Sequence, residues 1–253
     1  MPNTPKRRTS KRSSLETPTP AAEVTVAEER EPRGARRKRE TRGRLLDAAL
    51  RLMSERGMEG VAINEITEAA DVGFGSFYNH FESKEAIYAT LVDSVFEEFA
   101  DSLDRLTSGL TDAAEIISVS VRHTLMRARC EPVWGRFLIR EGFSARAMTQ
   151  GLGQRLLRDI QRGIAAKRFV VADPFIGFLS VGGTVLITVS AELNFVAPDA
   201  PAAGALEALG FSGEHFPERT AATLLQTLGL KRAEAEKIAN RPLPVVEAAD
   251  QAA

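Results

Sequence analysis

The 253-residue sequence contains a single cysteine, Cys130, and only three histidines, His80, His123 and His215. One thiol cannot close an internal disulfide or build a multi-cysteine zinc site, which suits a reducing cytoplasm. The histidines stand in no HExxH or other metal-binding spacing, so neither a metal nor another cofactor is expected. No GxxxxGK[ST] phosphate loop and no GxSxG nucleophile elbow occurs, and no strand precedes Gly182-Gly183-Thr184. These absences argue against an enzyme. With no second thiol to resolve it, Cys130 reads as an ordinary half-buried cysteine and not as a redox sensor. The opening MPNTPKRRTSKRSS is basic and polar with no apolar run behind it, so no cleavable export signal is expected and a cytoplasmic protein is.

What is present is ordinary in amount and uneven in placement. Apolar residues make up 43% and charged residues 26%, a soluble globular composition. The net charge is −1, yet residues 1–44 hold 13 Lys and Arg against 6 Glu, and the remainder holds 20 against 28 acidic residues. A basic front on an acidic body suggests one end that faces a polyanion. The longest uncharged run, Pro174 to Ala191, is 18 residues, the lower edge of a membrane span. Its interior Gly, Ser and Thr residues and acidic flanks favour a buried helix in a core or subunit interface, so no membrane partner is expected.

The periodicity predicts an all-α chain. Residues 1–36, rich in Pro, Ser, Thr, Arg and Glu, cannot bury enough apolar surface to order themselves, and read as a disordered basic arm. Helix 1 is predicted from about Arg39 to Arg56, with Leu45, Leu46, Ala49, Leu50, Leu52 and Met53 on one buried face. A short helix through Ile63 and Ile66 follows, then the three-residue break Asp71-Val72-Gly73, then a second short helix from Phe74 to about His80. That is the length of a helix-turn-helix elbow. Ser83 is the expected N-cap of a helix running through Ile87, Leu91 and Phe99 to Leu106, long enough to connect a small head to a larger body. The body reads as helices to about Arg129 (capped by Thr111), from Pro132, over 146–168, from Asp173-Pro174, over 216–230 and over 231–240.

The chemistry of the head points outward. Phe77 and Phe81, four residues apart, lock the second short helix inward, leaving Ser76, Tyr78, Asn79 and His80 on outer faces. Gly73 and Gly75 weaken that helix, at up to about 1 kcal/mol each, but let backbone approach another surface. Cations from Arg36 to Arg44, Arg39 and Arg42 among them, oppose the helix macrodipole, so an external anion explains them better than helix stability. In helix-turn-helix proteins the second helix enters the major groove while flanking groups grip phosphate. Tyr78, His80 and Lys84 suit phosphate, and Ser76 and Asn79 are short enough for base edges. Tyr78 could also be a core tyrosine, and Phe74 either a turn-packing ring or a contact for a thymine methyl.

Val61 to Lys84, and FYNHFESKEAIY (77–88) above all, resembles the signature of the TetR/AcrR family of bacterial transcriptional regulators. The resemblance spans about Arg39 to Leu91; beyond it the body agrees only in being helical and of the right length. It implies an omega-shaped homodimer that binds a palindromic operator in double-stranded DNA, with repression relieved by a small molecule held in the body. It makes Phe74 to His80 the recognition helix and Tyr78, His80 and Lys84 the phosphate anchors. The family's usual Thr or Ser at the start of the second helix is Ala62 here, and Asn64 is the residue left to take up that contact. Its usual Gly-Val-Ser turn is Asp71-Val72-Gly73.

The expected organisation is an arm (1–36), a helix-turn-helix domain (37–84), a helical ligand and dimerisation domain (85–242, with 85–106 connecting) and a C-terminal tail (243–253). For the ligand, expected to be largely hydrophobic, the candidates are His123, Met126, Trp134, Phe137, Phe143, Met148, Phe175 and Phe178. For the dimer they are Gly182, Gly183, Leu186, Leu224 and Leu228, on the two long C-terminal helices. The competing reading is a helical enzyme or small-molecule carrier with a vestigial DNA-binding head.

Overall fold

A computed structural model describes residues 32–244, which contain helices and no strand. The head consists of α1 (Arg33–Arg56), α2 (Ile63–Ala69) and α3 (Phe74–Tyr78). Most of the basic arm therefore lies outside the described residues, as does the tail from residue 245 on. The first helix starts six residues before the sequence suggests, at Arg33, because its opening turns carry charge and no apolar stripe to mark them. It projects its basic turns beyond the core. Leu45, Ala49, Met53, Ile66, Phe77 and Phe81 close the head's interior, with the Phe77 and Phe81 rings 5.8 Å apart.

Two details of the elbow follow from local chemistry. The α2 N-terminus has alanine at its cap, so only half of a capping box forms: the Ala62 N–H donates to Glu65 at 2.8 Å. Glu65 also pairs with Arg56 at 2.8 Å, and the Ala62 bond first, then Arg56, holds its carboxyl below the usual range. In the turn, Asp71 takes a left-handed conformation, φ 52°, that favours glycine. Asp71→Gly is expected to raise stability by about 0.5–1 kcal/mol, read as a higher midpoint in thermal unfolding. A lower midpoint would show that the carboxylate contributes a contact worth more than the strain.

From Ser83, whose hydroxyl accepts from Ala86 N–H at 3.2 Å, the chain runs as one rod: α4 (Lys84–Val92), a π-helical segment (Asp93–Glu98) and α5 (Phe99–Thr107). The body adds α6 (Ala113–Cys130), α7 (Pro132–Glu141), α8 (Ala145–Thr149), α9 (Gly151–Ala165) and α10 (Pro174–Ala191). It ends with α11 (Ala205–Ala208), α12 (Phe216–Thr227) and α13 (Arg232–Ala239). Asp112, not Thr111, caps α6, accepting from Ala114 N–H at 3.0 Å. The helix expected over 146–168 is two. Gly151, at φ +50°, turns the chain between them, and a Cβ there would stand 2.6 Å from the Phe96 carbonyl oxygen. α10 packs on α6, α7, α9 and α12. Pro174–Val196 is long and apolar enough to cross a membrane by length and composition.

Candidate nucleic-acid interface and body cavity

On the head, the α3 backbone is held from below by Phe77, which is fully buried, and its other residues face out. Phe74 is 54% exposed and Tyr78 53%, their rings edge to face at 5.7 Å. Tyr78 is thus no core tyrosine. Gly73, Gly75 and Asn79 are exposed, and Ser76, His80 and Lys84 are partly so. A Cβ at Gly73 or Gly75 would meet nothing within 4 Å, and neither residue has a positive φ. Nothing among the described residues demands glycine at those two positions. Their bareness keeps the surface of α3 open to close approach.

α1 lies beside this face. Arg37, Lys38 and Thr41 share an open hollow with Ser76, Asn79 and His80. Burial first, then Lys38 and Arg42, pushes the His80 imidazole below its ordinary range, so it is neutral at pH 7. Its Nδ1 is buried and finds no hydrogen-bond partner among the described residues. Arg42 lies over the Phe81 ring at 5.1 Å, which steadies its guanidinium beside α3. Arg39 and Asn64 are exposed on α1 and α2.

In the body, α5 to α10 line a partly open cavity of about 220 Å³. Its walls are mostly apolar, including Phe96, Leu103, Ile117, Leu138, Leu156 and Phe178. Polar groups enter from α6 (Ser120, Thr124) and from a row formed by Asp104, Arg155 and Asp159. Arg155 donates to Asp104 at 3.0 Å and to Glu97 at 3.2 Å, and also pairs with Asp101. Arg158 grips Asp104 at 2.7 and 3.1 Å and Asp159 at 2.8 and 3.0 Å. The Arg158 bonds, opposed by burial and supported by Arg155, hold the Asp104 carboxyl below its usual range. Asp104 is therefore an ionised acceptor at neutral pH.

The structure redistributes the expected ligand and dimer residues. Phe143, Met148 and Phe178 line the cavity. Trp134 and Phe137 instead fill the core, Trp134 against Phe99 at 4.9 Å and Phe137 against Tyr88 at 6.2 Å. Met126 and Phe175 are exposed, and Phe175 stacks outside on Phe178 at 6.2 Å. His123 does not line the cavity; burial, then Arg122, lowers its imidazole pKa. Large apolar residues are equally at home in core and cavity, and one sequence does not separate them. Gly182, Gly183 and Leu186, expected at the dimer interface, line the cavity. Leu224 and Leu228 are 1% and 0% exposed, buried by their own chain against α6 and α13. The apolar residues of α10 that are exposed and do not line the cavity are Phe175, Ile176 and Ile187, at 57%, 55% and 64%.

Asp104, Arg155 and Asp159 are the charged cavity residues, and periodicity did not single them out. A signal existed: Arg155 and Asp159 interrupt the apolar face of α9 that carries Leu152, Leu156 and Ile160 at helical spacing. Charges on a buried face need a partner, and a cavity is one place to find it. Among the described residues, no group of three or more His, Cys, Asp and Glu side chains is placed to hold a metal ion.

A bare recognition helix beside a basic hollow, carried on a hollow helical body, defines a helix-turn-helix DNA-binding protein. Residues 45–91 match the model of bacterial regulatory proteins of the tetR family, and residues 112–241 match that of the tetracyclin repressor-like C-terminal domain. The chain belongs to the TetR family. Its relatives include the transcriptional repressor DhaR of Mycobacterium sp. (strain GP1), 36% identical over 41% of this chain and 50% of DhaR. The regulator TcmR of Streptomyces glaucescens is 32% identical over 46% of this chain and 50% of TcmR. The chain thus spans about half the length of these curated relatives, which are transcriptional regulators. A solved structure of RolR with resorcinol superimposes with a TM-score of 0.57 and 30% identity, covering 84% of this chain and all of RolR.

Proposed function

We propose that the chain is a cytoplasmic homodimeric repressor that grips an inverted-repeat operator and lets go when a small hydroxylated aromatic compound enters the body cavity. The observation that carries the effector class is the Asp104–Arg155–Asp159 row at the edge of an otherwise apolar cavity. A phenolic O–H donates to a carboxylate, and its oxygen accepts from a guanidinium. A ligand carboxylate would meet two aspartates and be repelled. The likeness to RolR, solved with resorcinol, supports the same class.

On DNA, Tyr78, His80 and Lys84, with Arg39 and Arg42 of α1, hold phosphates on either side of α3. Gly73, Phe74, Gly75, Ser76 and Asn79 face the bases. Asn64 takes the phosphate position that Ala62, having no hydroxyl, cannot serve. The second copy covers the outward face of α10 at Phe175, Ile176 and Ile187, in place of Leu224 and Leu228.

Selection of bound sequences from a random DNA pool tests this reading. The expected product is an inverted repeat with half-sites about one helical turn apart, bound with a steep loss of affinity as salt rises. A pool that yields no preferred sequence, or a single unrepeated half-site, would sink it.

A further inference from the structure

The body cavity is longer than its charged row. On α10 its wall runs from Phe178 to Leu186, about 12 Å of helix rise, and on α9 from Leu152 to Asp159, about 10 Å. α9 and α10 pack together across the short connection 166–173, and a Cβ on Gly182 would lie 3.6 Å from Leu156. Phe178 therefore lies toward Asp159, and Leu186 toward Leu152. Asp104, Arg155 and Asp159 gather at the first of these ends. The other end is apolar, walled by Leu138, Met148, Leu152 and Leu186. It opens to solvent beside Phe143, which lines the cavity yet is 63% exposed.

A single ring held at the charged row covers little more than one turn of these helices, about 5.4 Å, whereas the walls run for two. An apolar cavity of about 150 Å³ already holds benzene. This one is about 220 Å³ and has an open end besides.

Gly182 and Gly183 stand midway along the α10 wall. A Cβ at Gly183 would meet nothing within 4 Å, and one at Gly182 would make only ordinary contact with Leu156. Packing among the described residues therefore asks for neither glycine, and glycine within a helix is costly against alanine. What the bare backbone provides is width, at the level where the charged end of the cavity passes into the apolar one.

Building on the effector reading above, we infer that the effector is an amphiphile: a hydroxylated ring carrying an aliphatic chain of about three to five carbons opposite its hydroxyls. The ring lies at Asp104, Arg155 and Asp159. The chain passes Gly182 and Gly183 and runs toward Leu186 and Phe143. A chain meta to both hydroxyls points straight away from the charged row, which makes a 5-alkylresorcinol the matching shape. One turn of apolar wall takes about four extended methylenes at standard bond lengths. Gly183 is the specificity-determining position, because a side chain there narrows the passage without touching the row.

The test is titration calorimetry of full-length wild type, Gly183→Ala and Gly183→Val without DNA. The probes are resorcinol, 5-propylresorcinol, 5-pentylresorcinol and propylbenzene. Each buried methylene is worth about fourfold in affinity, so 5-propylresorcinol is expected to bind wild type about fiftyfold more tightly than resorcinol. The step from propyl to pentyl is expected to be smaller per carbon, as the chain end reaches solvent at Phe143. Gly183→Val is expected to hold resorcinol within about threefold of wild type and to lose most of the propyl gain, with Gly183→Ala between. Thermal midpoints no lower than wild type, expected because both changes replace a glycine within a helix, establish that the variants are folded.

5-Propylresorcinol that binds no more tightly than resorcinol overturns the chain and leaves the hydroxylated effector standing. A propyl gain undiminished in both Gly183 variants overturns the path past Gly183. Wild type that binds propylbenzene and not resorcinol refutes the hydroxylated class, and the chain path then stands if Gly183→Val abolishes that binding and falls if it does not. Binding of none of the four compounds overturns both.

Discussion

Replacing Tyr78 and Lys84 together by alanine lowers operator affinity by roughly a thousandfold at moderate salt. In the proposed dimer each copy would lose two phosphate contacts, and four contacts at about 1 kcal/mol apiece sum to about 4 kcal/mol. Lys84→Ala alone also flattens the salt dependence, by about 2 in the log–log slope, because two cations no longer displace counterions. Neither change threatens the fold, since Tyr78 is 53% exposed and Lys84 lies at the open N-terminus of α4. The loss is expected to be equal for all DNA sequences. Ser76→Ala and Asn79→Ala, by contrast, are expected to alter which bases are preferred, because the proposed interface turns their polar atoms toward base edges. Fluorescence anisotropy on the selected operator and on scrambled DNA distinguishes the two patterns. Full affinity in the double variant would remove these residues from the interface.

Asp159→Asn raises the concentration of resorcinol needed for half-release by about 10- to 100-fold. A hydrogen bond from a neutral hydroxyl to a carboxylate is worth about 1.5–3 kcal/mol, and the amide accepts more weakly. The isosteric change keeps the cavity's shape, and Arg158 retains its two bonds to Asp104. Operator affinity without probe is expected to be unchanged. A half-release concentration equal to wild type would detach Asp159 from the effector and leave the apolar wall to account for binding. Arg155→Ala is a less clean probe, because it removes a partner from Glu97, Asp101 and Asp104 at once.

The head was legible because its physics is local. Ile63, Ile66, Phe77 and Phe81 state their inward faces through helical spacing, and Ser83 caps α4 through a bond within four residues. The exposed set around Tyr78 followed, since a helix of five residues has few faces to choose from. The body was legible only as helices. Trp134 and Phe143 have similar chemistry, yet one fills the core and the other lines the cavity. Leu224 looked available to a partner copy until α6 and α13 covered it. In each case the deciding neighbour is a different helix, distant in the chain.

Residues 61–88 by themselves determined the class of protein, because the cues for an elbow, a cap and an inward aromatic pair are each read within one or two turns. Only the tertiary structure decided what the body holds and how the body is joined to the head. Arg155 meets Glu97 and Asp104 across more than fifty residues, and Arg140 meets Ser54 across eighty-six. A charged side chain on an amphipathic helix carries no mark of the partner it will meet. That partner exists only once hydrophobic burial has chosen which helices lie side by side.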